Sequence, residues 1–332
     1  MATRLRWGLL STSRINRVLL PVLRQLERHD VLAVASRDPE RARTYARDWS
    51  IPHAEASYEA LLARDDIDVV YVALPNALHA EWTIKALAAG KHVLCEKPLA
   101  LSVTEVDAIM AASCRTGLRV AEAFMFRHHS QTHAIRRIVA NGDLGEIRTI
   151  RAQFGFTLDR PADIRWVSRL GGGVLWDLGV YPLAFARAVL GQEPVTVSAS
   201  TVIDEHGVDI DAAALVDFAG SRLTFDCSFR SPYRVGVEIV GAEGILSVPV
   251  PYRPGPSERV LLSKRNVAEP VSIPIEGAVA CRGQLDDMAS QVLDGEPPAL
   301  PLDDSRANVR AMQAAQISAR ERRQVRIGEV RA

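Results

Sequence analysis

Glu96-Lys97-Pro98 sets an ammonium beside a carboxylate where the apolar run Lys91-His92-Val93-Leu94-Cys95 ends. A lysine at the end of a buried strand sits at the mouth of an α/β sheet, where such folds hold their ligands. Glu96 is a ready partner for the ammonium, and Pro98 stops the strand and fixes the backbone direction. A second segment, Gly171-Gly172-Gly173-Val174-Leu175-Trp176-Asp177-Leu178-Gly179-Val180-Tyr181, opens a helix with three glycines. Asp177 and Tyr181 are four residues apart and share one helical face. The glycines are expected to let a cofactor or substrate approach the backbone. Together a Lys, an Asp and a Tyr can run proton transfer alongside hydride transfer. The tyrosine hydroxyl exchanges a proton with the substrate oxygen, the lysine polarises that oxygen, and the aspartate orients the group. Each segment alone also fits a plain role, as a solvated ion-pair turn or as a core tyrosine with an early-helix charge.

The elements that must position these residues alternate through the first third of the chain. Strands are expected at Leu5–Leu10, Val31–Ala35, Val69–Leu74, Lys91–Cys95 and Arg119–Ala123. Between them, helices are expected at Asn16–Arg28, Pro39–Trp49 (Asp38 as N-cap), Tyr58–Arg64, His79–Ala89 and Val103–Thr116. Short apolar strands separated by helices imply a parallel, doubly wound sheet. The pattern changes near residue 145. Ile147–Thr157 alternates as a half-exposed strand, followed by strands at Val195–Val202, Ala212–Phe218, Ser221–Ser228, Val235–Val240 and Gly244–Val248. Asp217–Arg222 reads as a hairpin turn, Trp176–Leu190 as a helix, and Gln284–Arg323 as helical again. The fold class is α/β, with domains expected at residues 1–123 and 124–332. The second is an α+β domain with a large, mainly antiparallel open sheet, its last helix a candidate to pack back on the first domain. Such an open sheet has a face to cover, so it is expected to carry a subunit interface.

The turn Ser11-Thr12-Ser13-Arg14-Ile15-Asn16 stands where a dinucleotide phosphate loop would be. Its three glycine positions read Ser11, Ser13 and Asn16, and the nearest glycine, Gly8, lies inside the strand. Small serines leave room for a pyrophosphate, and helix N-terminal amides supply donors. At the end of the second strand, where NAD-binding folds carry an Asp or Glu, this chain has Ser36-Arg37, with Arg41 one helical turn on. A hydroxyl and guanidinium groups suit a 2′-phosphate, so NADP(H) is expected over NAD(H). Leu74, Pro75, Asn76 and His79 are candidates to line the ribose and nicotinamide pocket. Arg127 is a candidate to reach cofactor or substrate, and Arg165-Trp166 to bring a charge and a stacking surface near the nicotinamide.

Forty Lys+Arg balance forty Asp+Glu in 332 residues, so there is no global field for nucleic acid or an anionic membrane. The N-terminus, Met1-Ala2-Thr3-Arg4-Leu5-Arg6-Trp7, precedes only a short apolar run, and no signal peptide or membrane span is expected. Cys95, Cys114, Cys227 and Cys281 have no paired spacing, and Cys95 and Cys227 lie in apolar runs as buried thiols suited to a cytoplasm. His129 and His133, with His128 and Glu122 nearby, offer two metal ligands on one face, but no well-spaced third accompanies them, and no metal is expected.

With these residues in hand, the chain resembles the Gfo/Idh/MocA family, which includes glucose-fructose oxidoreductase and inositol dehydrogenase. The resemblance covers nearly the whole chain. It rests on Leu74-Pro75-Asn76-Ala77-Leu78-His79, Gly90–Leu99, Glu122-Ala123-Phe124-Met125-Phe126-Arg127-His128-His129, Gly142-Asp143-Leu144-Gly145-Glu146-Ile147, Gly171–Tyr181 and Gly241-Ala242-Glu243-Gly244. It implies an N-terminal Rossmann domain, Lys97 as catalytic lysine, and Asp177 and Tyr181 in the Asp and His/Tyr positions. Tyrosine there points to aldose and dihydrodiol dehydrogenases and some nucleotide-sugar ketoreductases. Dimers or tetramers through the C-terminal sheet are implied too. The departure is the phosphate loop, Ser-Thr-Ser rather than Gly-x-Gly. The expected activity is hydride transfer between NADP(H) and a sugar or polyol. The alternatives are reduction of a nucleotide-linked keto-sugar, whose diphosphate Arg127, Arg160, Arg165, Arg169, Arg230 and Arg234 could receive, and a non-catalytic dinucleotide sensor.

Overall fold

The computed structural model describes residues 3–331; Met1, Ala2 and Ala332, at the ends of the two expected domains, lie outside the described residues. The chain forms two compact units. One runs through Phe124 and takes in Cys281–Arg306; the other comprises Met125–Ala280 and the chain from Ala307.

In the first unit six strands alternate with helices. They are β1 (Leu5–Leu10), α1 (Asn16–Leu23), β2 (His29–Ala35), α2 (Pro39–Asp48), β3 (His53–Glu55), α3 (Tyr58–Leu62), β4 (Val69–Val72), α4 (His79–Ala88), β5 (His92–Glu96), α5 (Val103–Thr116) and β6 (Val120–Ala123). Their spatial order is β3-β2-β1-β4-β5-β6, with every neighbouring pair parallel. Helices cover such a sheet on both faces, so β4 and β6 are buried at every residue and read as continuous runs. The winding reverses between β1 and β4, and the crevice at the carboxyl ends of those strands is the topological switch point. Ser11 follows β1, Leu74-Pro75-Asn76 follows β4, and Glu96-Lys97 stands at the end of β5.

The local signals explain most boundaries. Asp38 caps α2 by accepting from the amides of Glu40 and Arg41. Ser102 and Glu105 form a capping box on α5, which ends at Gly117 in the left-handed region. Helix α1 stops at Leu23 rather than Arg28. The amides of Gln25 and Leu26 bond three residues back, which tightens the chain into β2. Lys91 falls just before β5, because its buried ammonium is drawn to the carbonyls of Arg64 and Ile67.

The second unit contains α6 (Ser130–Ala140), β7 (Ile147–Gly155), a π-helical turn at Leu175–Gly179 leading into α7 (Val180–Leu190), β8 (Thr196–Ile203), β9 (Asp209–Asp217), β10 (Arg222–Ser228), β11 (Arg234–Gly241), β12 (Gly244–Val248), β13 (Ser257–Lys264) and β14 (Val271–Glu276). Helix α8 (Arg282–Ala289) returns to the first unit and packs on α1, and α9 (Leu302–Glu321) and β15 (Val325–Arg326) follow. The nine-stranded sheet has the order β14-β13-β12-β11-β7-β10-β9-β8-β15. Only β7 and β10 are parallel neighbours; the other pairs are antiparallel. Strand β7 buries Ile150, Ala152 and Phe154 and exposes Arg151 and Gln153, the alternation of a sheet covered on one face. Helix α7 packs on β7 and β10 and is buried from Val180 to Val189. The segment Ser168–Leu190 is apolar enough to cross a membrane, yet 89% of its window is buried inside the protein, and this core position accounts for its composition.

Strands β3, β13, β14 and β15 were not anticipated. Strand β14 carries Pro274 inside it, a residue tolerated because β14 is an edge strand. The prolines between β12 and β13 make that stretch read as loop.

Candidate active site

The loop after β5 is pinned from three sides within the first unit. Tyr71, buried on β4, donates its hydroxyl to Glu96 Oε1 in a short bond. Glu122, buried on β6, accepts the Leu99 amide at 2.8 Å. His79, 1% exposed, places Nδ1 2.7 Å from the Pro98 carbonyl and Nε2 2.8 Å from that of Leu74. A neutral imidazole can donate to one of these carbonyls and an imidazolium to both; burial pushes the His79 pKa down. His79 therefore stands behind the loop, with both ring nitrogens on main chain. The Lys97-Pro98 peptide is cis. Glu96 is thus bonded to Tyr71, and burial together with Glu96 drives the Tyr71 phenol well above its ordinary range. Lys97 is half-buried at the sheet's carboxyl edge, as are Pro75 and Asn76, while Leu74 is buried.

The phosphate-loop candidates lie beside it. Ser11 occupies the first glycine position with φ 111°, a conformation that costs a non-glycine residue about 1–3 kcal/mol. Three hydrogen bonds hold it there: its amide to the Ala35 carbonyl, its hydroxyl to the Ala73 carbonyl, and its carbonyl to the Asn16 side-chain amide. Among the described residues the amides of Thr12, Ser13, Arg14 and Ile15 find no acceptor, and they stand at the start of α1. That donor set fits a dinucleotide pyrophosphate. Ser36 is buried and accepts the Asp38 amide, which leaves its hydroxyl proton to give. Arg37 and Arg41 are exposed, and the Arg37 guanidinium also reaches the Tyr58 hydroxyl. The set carries no carboxylate at the end of β2 and fits a 2′-phosphate.

In the second unit, Asp177 lies in the π-helical turn and Tyr181 in the first turn of α7. Arg165 Nε donates to Asp177 Oδ2 at 2.5 Å, and its Nη1 lies 3.2 Å from Asp163 Oδ1. Facing Asp177 first and Asp163 second, the Arg165 guanidinium is held charged far beyond its ordinary range. Tyr181, 3% exposed, sits among aromatic rings, 5.5 Å from Phe154 and 5.4 Å from Tyr252 between centroids. Trp166 donates its indole N–H to the Arg160 carbonyl and meets Phe229 edge-on.

The triple glycine has a different reason from the one expected. A Cβ at Gly172 would strike the Arg165 carbonyl, and one at Gly173 would strike the carboxylate of Asp209. The close approach is made by the protein's own chain, which packs Arg165 and Asp209 against the helix start. His129 is the N-cap of α6: its Nδ1 accepts the Gln131 amide and its Nε2 contacts the Ala278 carbonyl. Arg127 follows β6 in a 3₁₀ turn and is half-buried. Tyr71, Asp163 and Asp209 escaped the sequence reading, and Glu122 was weighed there only beside a metal site. The one available signal was a polar residue inside an apolar strand, at Tyr71 and Glu122.

Arg165 and Asp177 should be energetically coupled. Arg165→Leu is expected to cost roughly 2 kcal/mol by urea unfolding, and Asp177→Leu a similar amount. Making both changes should cost clearly less than their sum; strict additivity would show that the two charges do not depend on each other.

Comparison with known proteins agrees with this fold. The chain matches the model of the oxidoreductase family with an NAD-binding Rossmann fold over residues 5–124, and that of the GFO/IDH/MocA C-terminal domain over residues 132–247. It is 38% identical to an uncharacterized oxidoreductase of Rhizobium meliloti, over 95% of this chain and 96% of the other. It is 32% identical to D-xylose 1-dehydrogenase (NADP(+)) 2 of Haloferax volcanii, over 94% of this chain and 97% of the other. A 3-ketoreductase from Actinomadura kijaniata, solved with NADP and TDP-benzene, superposes with a TM-score of 0.90 at 31% identity, over 95% of this chain and 98% of that one. Two family models over most of the chain, and relatives aligned along nearly all of it, establish that the protein belongs to the Gfo/Idh/MocA family of oxidoreductases.

Proposed function

We propose that this protein is an NADP(H)-dependent oxidoreductase that moves a hydride between the cofactor and a free sugar or polyol. The observation that carries the substrate choice is the state of the arginines. Arg160 faces Asp163, Arg165 faces Asp177 and Asp163, Arg230 faces Asp211, and Arg234 faces Asp226. Four of the six guanidinium groups that could receive a diphosphate already have a carboxylate, which favours an uncharged substrate bound by hydrogen bonds. The likeness to a reductase solved with a TDP ligand supports the second reading, a nucleotide-linked keto-sugar.

Bound NADP(H) would supply or take up the hydride at its nicotinamide. The amides of Thr12–Ile15 would hold the pyrophosphate, with the hydroxyls of Ser11 and Ser13 beside them. Ser36, Arg37 and Arg41 would hold the 2′-phosphate, and Leu74, Pro75, Asn76 and Glu96 the ribose and nicotinamide. Arg127 and Trp166 are assigned supporting contacts to cofactor or substrate. His79 is assigned to holding the Pro98 carbonyl and Arg165 to holding Asp177. Lys97 would polarise the substrate oxygen, Tyr181 would exchange a proton with it, and Asp177 would keep the acceptor oriented.

We assign the open face of the nine-stranded sheet, with Ser198, Ser200, Ala213, Thr224, Gly236 and Ser247, to self-association into dimers or tetramers. The small side chains leave a recess beside Arg151, Gln153 and Glu238 that a second copy can enter. A monomeric mass by sedimentation at micromolar concentration would remove this assignment. The four free cysteines, three of them buried, support a cytoplasmic location, which fractionation of cells would check.

Arg37→Asp is expected to weaken NADPH binding about ten- to a hundredfold more than NADH binding, by fluorescence titration; equal losses would refute 2′-phosphate recognition. Lys97→Ala and Tyr181→Phe should each lower kcat by at least about a hundredfold while NADPH still binds. Unchanged turnover in either would remove that residue from the reaction. A panel of aldoses, inositols and TDP-keto-sugars followed at the nicotinamide absorbance separates the substrate readings.

A further inference from the structure

Asp209 opens β9, and its carboxylate reaches the start of the helical segment that bears Asp177 and Tyr181. Oδ2 accepts the Leu175 amide at 2.5 Å, and the Val174 amide donates to the carboxylate as well. Oδ1 lies over Gly173, whose φ of +112° and lack of a side chain leave the space it fills. Leu175 begins the π-helical turn, and Val174, at the cap position, gives no side-chain hydrogen bond. The capping carboxylate therefore comes from 34 residues downstream. It meets the first free amides and the positive end of the helical segment at once. Where those amides are held decides the rotation of the π turn. That rotation decides the direction of Asp177 within the turn and of Tyr181 two residues past its end.

We infer that Asp209, as a carboxylate, is a positioning residue for the reaction: it fixes the π turn that presents Asp177 and Tyr181. The inference rests on the assignment of those two residues to the chemistry. The titratable groups that interact with Asp209 are Asp204 in the turn before β9 and Cys227 on β10, and Cys227 in turn feels Asp177 on the π turn, Asp226 and Arg234. Burial raises Asp209 above the usual carboxylate range, and the amides of Leu175 and Val174 pull it back only in part. The sign follows. The carboxylate is present above its raised pKa, and its grip on the turn is lost as pH falls through that value.

Asp209→Asn copies the protonated form in nearly the same volume. Near neutral pH it should lower kcat at least tenfold, with sugar KM and NADPH affinity changed less than about threefold. Its pH profile should be flat on the acid side and converge with the wild type at low pH. Parallel profiles, or an unchanged kcat, would overturn the proposal. If Asp209→Asn does not fold, Gly173→Ala, which pushes the carboxylate away from the turn, should give the same fall in kcat with retained NADPH binding; full activity would overturn it. Wild-type protein that binds NADPH but turns over no panel sugar would defeat the functional reading instead. The positioning claim is then read from hydrogen exchange at Val174 and Leu175 in the wild type: protection, corrected for intrinsic rates, should fall with pH, and constant protection would refute it.

Discussion

Asp177 can remain charged inside the second unit because Arg165 meets it at 2.5 Å. Much of the surrounding chain follows from keeping that pair. A carboxylate with 13% of its side chain exposed needs a counter-charge, and the counter-charge needs its own anchor. Asp163 supplies the anchor from the same short 3₁₀ turn, accepting the Arg165 amide and part of its guanidinium. The Arg165 carbonyl then presses on Gly172, where no side chain would fit. The glycines, which look like an opening for a ligand, are the space in which the protein folds its own charges against a helix start.

The first unit solves a parallel problem with neutral and anionic groups. A loop that leaves a parallel sheet beside its switch point has few neighbours to fix it, and Lys97 stands on such a loop. Tyr71, Glu122 and His79 bind the residues around it, from β4, β6 and the start of α4 in turn. Each is a buried polar group in an otherwise apolar layer, which is tolerated because each has its hydrogen bond. Ser11 shows the same economy at the phosphate turn: three bonds hold a serine in a backbone conformation that glycine adopts freely.

The parallel sheet was legible because helices on both faces turn its strands into unbroken apolar runs, and because Asp38 marks a helix start by its own chemistry. The π turn was not legible, since its cap, Asp209, is far away in sequence and nothing local announces it. Strand β13 was hidden by its many exposed positions and the prolines before it, and the edge strand β14 by Pro274 inside it, for on an edge only one side must pair. Lys97, Asp177 and Tyr181 could be named from type and spacing. Their support could not: Arg165 and Glu122 were singled out for other roles and Asp163 and Tyr71 not at all, because they act through contacts that no periodicity encodes.

The central claim is hydride transfer between a sugar and NADP(H), and isotope transfer tests it most directly. An aldose deuterated at C1 and NADP⁺ would be incubated with the protein and the nicotinamide examined by mass spectrometry. Deuterium on the nicotinamide ring is the expected result. Cofactor that binds yet never acquires the label, across aldoses and polyols deuterated at each carbinol carbon, would contradict the account.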